Sequence, residues 1–450
     1  MRAGDIDDEH EEDEEESIHD EAKNESEAGA GDAAGAEPEP VRHHHASTPL
    51  CPEPRRDTFW RRVVWSCDGT HLLCQSEDHH IDLFCVSLPS EQPSSDDGGA
   101  TSASQAPSWS HTLTVRAPSP ILAVEWYPLS THAEPWTWCF AMSCRDVPVK
   151  LVDATTGQTR ATYGIIDHVE RFLSPLSLAF DLTGTLLYCG LKDAVAVFAL
   201  AQPGNEPLEM LHLGPTGGWG ASRAGQRGLV SCLAVLAEGG DYQQQQQRYD
   251  DNGEGANGTG TGELLAVGTL SGTVALYRLD ARGCDSLHEG LVCAWKDDDS
   301  RGLSQLAFHP SAPHVLFTAS RRSDAVRAFD LRYVGTNSLS EGPPPACRLG
   351  EFPLEGNERE GGDNEKTQQR LFFDVDGHSR TLVAGGRQGQ VSVWDVTVPE
   401  HGLRSAEESD ASSSFGQSAR SECAALLKHK PIKQWRASED VVACTGSSSA

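Results

Sequence analysis

The 450-residue sequence lacks long apolar runs and the common catalytic motifs. No run of 18 apolar residues occurs, and the N-terminus has no apolar segment of the secretory kind. We therefore expect a soluble protein that is neither secreted nor membrane-spanning. The patterns G-x-S-x-G, G-x-x-x-x-G-K-[ST] and H-E-x-x-H are also missing. These absences argue against catalysis, and we predict a non-catalytic protein that needs no cofactor.

Paired cysteines are missing as well. The 13 cysteines include no C-x-x-C pair and no metal-like spacing with histidine. Several instead alternate with other residues inside apolar stretches, which is typical of small buried side chains in a reducing compartment: Cys74, Cys85, Cys139, Cys189 and Cys232. We predict no structural metal.

Basic residues are scarce, with 36 Lys and Arg against 67 Asp and Glu and a net charge of −31. Residues 1–40 alone hold 17 acidic and two basic residues. Such a segment has too little apolar surface to offset its ordering entropy, so we expect residues 1–57 to be a disordered acidic tail. We interpret four polar segments as loop insertions, and residues 445–450 as a short Ser-rich end: 87–107, 237–262, 333–369 and 399–431.

A strand–turn–strand pattern recurs along the rest of the chain. In TLVAGGRQGQVSVWDV (381–396), two apolar runs flank a Gly-containing turn, and the second run ends in Trp394 and Asp395. Five further copies have the same layout: 71–86, 140–154, 185–200, 264–280 and 315–332. Their anchor residues are separated by 46 to 79 residues. The shortest spacing is close to the WD40 period of about 40–45 residues, and insertions explain the longer ones.

Additional strands flank these hairpins. An apolar run precedes most copies, as in ILAVEWYP (121–128), and GQTRATYG (157–164) follows one of them. Four antiparallel strands per repeat define a propeller blade, and such a hairpin is not stable by itself. We predict an all-β WD40 propeller over residues 58–444.

Cations recur in the turns between the second and third strands of the predicted blades. These turns open on one face of a propeller, here called the top face, and they carry Arg145, Lys192, Arg321, Arg322 and Arg387. Cations at equivalent sites would create a local positive potential that attracts phosphates despite the overall negative charge. Arginine can also stack on unpaired bases. The alternative is that exposed turns carry Arg and Lys without any ligand.

Polar residues near strand ends have structural or adaptor interpretations. His309 and Asp395 fit strand-end and turn roles, and Trp394 is an anchor of its strand. The stretch FDLR, which contains Asp330 and Arg332, resembles the W-D-x-R signature of propellers that dock onto the DDB-type adaptor of cullin ubiquitin ligases. A buried Arg332 paired with a neighbouring blade is the structural alternative.

Four stretches, in order along the chain, resemble the telomerase Cajal body protein family of WD-repeat proteins: 143–163, 168–204, 303–332 and 369–395. The resemblance implies a seven-bladed, RNA-binding propeller in the nucleus, in the Cajal body or nucleoplasm. Its implied partners are small Cajal body RNAs or telomerase RNA and the proteins of those particles. Some relatives are tied instead to pre-mRNA splicing. No membrane or DNA partner is implied.

The family pattern breaks off near the C-terminus. Residues 432–444, IKQWRASEDVVAC, look like the outer strand that leads into blade seven, and the next strands of the pattern are not recognisable. We therefore expect six complete blades and a partial seventh, in a ring that is not closed.

Deletion of residues 1–40 tests the predicted tail. The melting temperature should be almost unchanged, because a disordered segment contributes no packing, and RNA binding should strengthen slightly as a competing anion is removed. Thermal melting of the full and shortened chains measures the first effect. A large fall in melting temperature would mean that the acidic segment folds onto the propeller.

Overall fold

The computed structural model describes a set of β-strands and the turns that join them. The described residues are 58–87, 108–214, 226–237, 263–279, 290–297, 302–323, 325–331, 347–354, 370–376, 378, 380–386, 390–397 and 431–436. All of them lie in one compact unit, residues 44–450; the predicted tail lies outside the described residues. In this part of the chain, no helix is apolar and long enough to span a membrane.

The strands form six four-stranded antiparallel sheets, here called blades one to six. Blade one contains β1 (Trp60–Trp65), β2 (His71–Ser76), β3 (His80–Ser87) and β4 (Ser108–Arg116). Blade two contains β5 (Ile121–Trp126), β6 (Cys139–Cys144), β7 (Val149–Asp153) and β8 (Thr159–Tyr163). Blade three contains β9 (Ser177–Phe180), β10 (Leu186–Gly190), β11 (Ala194–Ala199) and β12 (Glu209–His212).

The second half of the chain repeats this order. Blade four contains β13 (Val230–Ala237), β14 (Glu263–Thr269), β15 (Thr273–Leu279) and β16 (Leu291–Lys296). Blade five contains β17 (Leu303–His309), β18 (Ala312–Ser320), β19 (Ala325–Asp330) and β20 (Cys347–Pro353). Blade six contains β21 (Phe373–Asp376), β22 (Thr381–Gly385), β23 (Gln390–Asp395) and β24 (Lys433–Arg436). In every blade the strands lie side by side in chain order.

The six hairpins predicted from the sequence are the second and third strands of the six blades. Their anchor residues all lie in third strands and are buried: Phe84, Val152, Phe198, Tyr277, Phe329 and Trp394. Aromatic and apolar anchors are buried because successive blades pack face to face, and shared apolar clusters join blades one to six in chain order. One apolar cluster, for example, joins Phe317 and Phe352 of blade five to Trp394 of blade six. The prediction of an all-β propeller is confirmed.

The first strands of blades two to six lie next to one another in chain order. Side chains from one blade donate hydrogen bonds to main-chain carbonyls at the start of the next blade: Arg62 to Val124 (2.6 Å), Gln75 to Ile121 (3.1 Å), Ser143 to Pro175 (2.8 Å), Ser177 to Val230 (3.1 Å), Ser231 to Leu303 (2.7 Å) and Gln305 to Phe373 (2.8 Å). Each first strand has one edge without a strand partner. Side chains of the neighbouring blade thereby donate hydrogen bonds to main-chain carbonyls on that edge.

Blade six also contacts blade one. The guanidinium carbon of Arg62 lies over the ring of Phe372, 5.4 Å from its centroid. The described strands therefore form six blades of a propeller. The open ring predicted from the sequence stays a prediction, because residues 437–450 lie outside the described residues.

The predicted seventh blade is not seen in the described residues. Within the segment 432–444, Lys433 pairs with Val393 and Gln434 with Ser392, so β24 is the fourth strand of blade six. The family pattern predicted this stretch to be the outer strand that leads into blade seven; residues 437–444 lie outside the described residues. The segment 333–369 likewise contains β20, the fourth strand of blade five. Most of the other three polar insertions lies outside the described residues.

Close packing between blades three and four predicts the effect of Gly190→Ala. A Cβ atom at Gly190 would lie 2.6 Å from Val230 Cγ1 and would also overlap Ser177 Oγ, the donor of an inter-blade hydrogen bond. We expect the free energy of unfolding to fall by about 1–3 kcal/mol, as is common for overpacking. Urea denaturation measures this.

Gly164→Ala is the matched control. There a Cβ atom would meet only the exposed ring of Phe172, at 3.2 Å, which has room to move. An equal loss of stability in both variants would contradict the packing argument, because the cost would then come from the backbone rather than from the blade contact.

Candidate nucleic-acid interface

The top face is built from two kinds of loop, which bind each other through the main chain. Turns between second and third strands meet the connections that lead from one blade into the next. Arg145 N donates to Pro120 O at 3.0 Å, Asp193 N to Gly228 O at 2.9 Å, and Arg321 N to Gly302 O at 2.8 Å. These bonds hold the turn tips at fixed positions around the propeller.

Five of the turns share one backbone conformation. Each contains a residue with positive φ: His79 (67°), Asp146 (59°), Asp193 (58°), Gly272 (83°) and Arg322 (57°). Asp and Gly suit this left-handed conformation, which explains their recurrence in the turns. The residue before it occupies an equivalent position in each blade.

Three predicted cations occupy that equivalent position. Arg145 and Lys192 are exposed, and Arg321 is half-buried. Arg322 does not share it, because it is itself the left-handed residue of its turn. Arg387 lies outside the described residues. Blade four has Ser271 at this position and blade one has Asp78, so the cations occupy part of the circle.

Further arginines on the top face do not follow from the turn pattern. Exposed Arg171 and Arg227 lie in connections between blades, and exposed Arg116 ends β4. Arg62 and Arg370 lie where β1 and β21 begin, near the centre of the propeller. Sequence reasoning missed them because it compared only the turns inside blades. The doublet Arg61-Arg62 and the basic residue just before the apolar start of blade six were the available signals.

A small hairpin adds apolar surface beside these cations. Between blades two and three, Ile166 and Phe172 form an isolated antiparallel bridge. Asp167 accepts main-chain hydrogen bonds from Arg171 and Val169. These bonds lower the pKa of the Asp167 carboxyl, and the bond from Arg171 has the larger effect. Four large apolar side chains of the hairpin are exposed: Ile166, Val169, Phe172 and Leu173. An exposed Phe next to Arg171 is a surface on which an unpaired base can stack.

His309 links blade five to blade six. It is buried, its Nε2 lies 3.1 Å from Val396 O, and its Nδ1 accepts from Ser311 N and Ala312 N, each at 3.1 Å. Since Nδ1 accepts, Nε2 carries the proton and donates to the carbonyl. Burial lowers the pKa of this neutral imidazole, and the nearby charge of Arg380 acts in the same direction.

The other structural or adaptor candidates divide by burial. Asp330 and Trp394 are fully buried, Asp330 at the end of β19 and Trp394 against Phe352. Asp395 is half-buried, and its Oδ1 accepts from Thr397 N at 2.9 Å. Arg332, the residue on which the adaptor hypothesis depends, lies outside the described residues.

The described cysteines are reduced. Of the predicted buried thiols, Cys74, Cys139, Cys189 and Cys232 are buried and Cys85 is half-buried. Burial raises the pKa of Cys74 to about 12 and that of Cys139 to about 11, so both stay protonated at neutral pH. The described residues contain no cluster of three or more His, Cys, Asp or Glu side chains that could hold a metal ion.

Six repeated four-stranded antiparallel sheets, each with its strands in chain order, define a β-propeller of the WD40 class. The chain is similar to telomerase Cajal body protein 1 of Bos taurus, with 26% identity over 340 residues, 76% of this chain and 51% of the relative. The Drosophila melanogaster homolog of that protein is 23% identical over 353 residues, 75% of this chain and 51% of the relative. The resemblance found in the sequence is thereby confirmed.

A third relative has a different name. Guanine nucleotide-binding protein negative regulator 1 of Schizosaccharomyces pombe is 27% identical over 338 residues, 75% of this chain and 70% of the relative. No family model matches the chain. The chain spans about half the length of the telomerase Cajal body relatives it matches. The names of these relatives describe no catalysed reaction.

The hydrogen bonds of His309 predict a pH-dependent loss of stability in His309→Ala. The variant leaves two N–H groups and one carbonyl without partners, so at pH 7.5 its free energy of unfolding should be about 1–3 kcal/mol lower. The histidine of the parent has a depressed pKa when folded and about 6.5 when unfolded. As the pH falls below about 6.5, protons therefore bind the unfolded state of the parent preferentially. This lowers the free energy of unfolding of the parent.

The stability difference between parent and variant should thus shrink from pH 7.5 to pH 5.5. Chemical denaturation at several pH values measures it, and His378→Ala, a substitution of an exposed histidine, is the control. A difference that grows at low pH would show that His309 is protonated in the folded protein.

Proposed function

We propose that this chain is a non-catalytic RNA-binding scaffold that binds small Cajal body RNAs or telomerase RNA in the nucleus. The observation that carries the proposal is the equivalent placement of Arg145, Lys192 and Arg321 in the turns of one face. The name telomerase Cajal body protein, shared by several relatives, supports the class of RNA and a location in the Cajal body or nucleoplasm. Proteins of the same particles, and possible splicing partners, follow from that kinship.

Electrostatics supports binding on this face. The chain carries a net charge of −31, so an RNA would be repelled by most of its surface. Exposed Arg145 and Lys192, together with exposed Arg171 and Arg227 in the connections between blades, place four cations on one face. Arginine forks match phosphate oxygens, and exposed Phe172 offers a stacking surface for a base in an RNA loop. A stem-loop with unpaired bases fits this combination better than a plain duplex does.

A protein-binding scaffold is the second candidate. The yeast relative is named as a regulator of a guanine nucleotide-binding protein, which is itself a protein partner. On the opposite, bottom face, Trp136 is 73% exposed. The Arg160 side chain donates a hydrogen bond to the main-chain carbonyl of Trp136 at 2.6 Å and forms an ion pair with Asp153 at 2.7 Å. Exposed tryptophan next to an ordered arginine is common at protein interfaces.

Charge reversal at the two exposed turns tests the RNA proposal. Arg145→Glu with Lys192→Glu should weaken binding of a stem-loop RNA at least about ten-fold, because two phosphate contacts become repulsive. The corresponding double Ala variant should reduce the slope of log K against log salt concentration by about 0.7 per lost contact. Fluorescence anisotropy titrations at several salt concentrations measure both effects.

The control carries the same change in net charge away from the top face. Arg348→Glu with Lys433→Glu alters exposed residues of the outer strands β20 and β24. This double variant should bind RNA nearly as the parent does. If both double variants weaken RNA binding equally, the loss of affinity comes from the change in total charge rather than from the top-face turns. If neither does, the two turns are not the RNA site and the protein-binding candidate takes precedence.

A further inference from the structure

Three arginines from distant parts of the chain meet at the top of the central channel. Arg62 lies at the start of β1, Arg370 lies three residues before β21, and Arg321 directly follows β18. The Arg62 guanidinium stands over Phe372, 5.4 Å from the ring centroid, which brings the starts of blades one and six together. The charge of Arg370 interacts with those of Arg321 and Arg62. The three side chains therefore share one electrostatic environment, here called the channel cluster.

Arg62 is a fixed member of the channel cluster. Its Nη1 donates to Val124 O at 2.6 Å, and its Nη2 lies 3.2 Å from Glu125 Oε2. Burial raises the pKa of Glu125, while the charge of Arg62 opposes that rise. The Glu125 carboxylate thus serves as the ion-pair partner of Arg62. Neighbouring Arg61 has its own partner, Glu77, at the rim.

Arg370 and Arg321 have no such partner. Among the described residues no carboxylate forms an ion pair with either side chain, and Nε of Arg321 is buried without an acceptor. Burial, followed by the charges of Arg321, Arg62 and Arg61, lowers the pKa of Arg370 to about 10, while Cys232 acts in the opposite direction. Arg370 still carries its proton at neutral pH. Guanidinium groups withdrawn from solvent are normally paired, so two half-buried ones without a carboxylate partner favour an anion as their ligand.

We propose that Arg370 and Arg321, with Arg62 held in place by Val124 and Glu125, bind one phosphate group at the top of the central channel. The ligand is a phosphodiester of the RNA backbone or a free polyphosphate. The RNA arm of this inference rests on the proposed function, because the channel cluster lies on the same face as Arg145 and Lys192. Binding of a free phosphate does not depend on it.

The chemistry of the cluster favours phosphate over other anions. Guanidinium groups present planar pairs of N–H donors that match two phosphate oxygens at once. Glu125 pairs with Arg62, so Arg370 and Arg321 contribute two positive charges toward a group that carries one or two negative ones. Partial burial also strengthens each charge-assisted hydrogen bond relative to the exposed turns. A phosphate here would therefore be held more firmly than one at the turn tips.

The test uses the full chain and three variants: Arg370→Gln, Arg321→Gln and Arg370→Lys. Sodium tripolyphosphate is the small probe, compared with sodium chloride at equal ionic strength, and a stem-loop RNA is the large one. Tripolyphosphate should raise the melting temperature of the parent, because it binds only the folded state. Both Gln variants should lose this rise. Arg370→Lys should keep part of it, since lysine retains the charge without the fork.

Without ligand, Arg370→Gln should melt at the temperature of the parent or above it, because the substitution relieves repulsion among like charges. RNA affinity should fall about ten-fold in each Gln variant, as expected for the loss of one charge-assisted phosphate contact. If Arg370→Gln does not fold, Arg321→Gln and Arg370→Lys give the same readouts. The double variant at Arg145 and Lys192 is measured in parallel, and its response to tripolyphosphate should equal that of the parent.

The outcomes separate this inference from the proposed function. Loss of the tripolyphosphate effect with unchanged RNA affinity supports the phosphate site and assigns it to a free polyphosphate. Loss of RNA affinity in the Gln variants but not in the double variant at Arg145 and Lys192 supports the channel cluster and contradicts the role of those two exposed turns. If tripolyphosphate does not stabilise the parent, or stabilises the Gln variants equally, the phosphate site is overturned, whatever the turns do.

Discussion

The hydrogen bond from one blade to the main chain at the start of the next is the interaction on which this structure depends. Each first strand has a strand partner on one side only, so its other edge faces the channel with unpaired polar groups. Short side chains such as Ser177 and Ser231 satisfy neighbouring carbonyls only when the blades are in close contact. Glycine at position 190 leaves room for that contact. Main-chain carbonyls of one blade therefore receive hydrogen bonds only when the neighbouring blade is packed against it.

The same closeness produces the channel cluster. Because first strands begin at the top of the channel, residues just before or inside them are brought within reach of one another whatever their separation along the chain. Arg62 has both roles, since its bond to Val124 joins two blades and its charge adds to that of Arg370. A group of like charges opposes folding, and an anion bound there offsets that cost. The proposed phosphate site would thus link stability and binding at the centre of the propeller.

The two faces differ in chemistry. The top face combines short turns, ordered by main-chain hydrogen bonds, with cations and an apolar hairpin. The bottom face carries exposed Trp136 and an ion pair between Arg160 and Asp153. An RNA on the top face and a protein on the bottom face would not compete for the same residues. This separation is useful in a scaffold, because its value lies in holding two partners at once.

The sequence by itself determined the local units: alternating strands, buried aromatic anchors and the turns that carry Arg145, Lys192 and Arg321. These features depend on neighbours within about 20 residues, so the pattern was enough. The outer strands were harder, because β20 lies inside a polar segment and β24 pairs with a strand far back in the chain. Only the tertiary structure decided that six blades meet, that Arg322 is the left-handed residue of its turn, and that Arg62 and Arg370 are neighbours. Electrostatic interaction depends on distance in space, and the arrangement of the blades sets that distance.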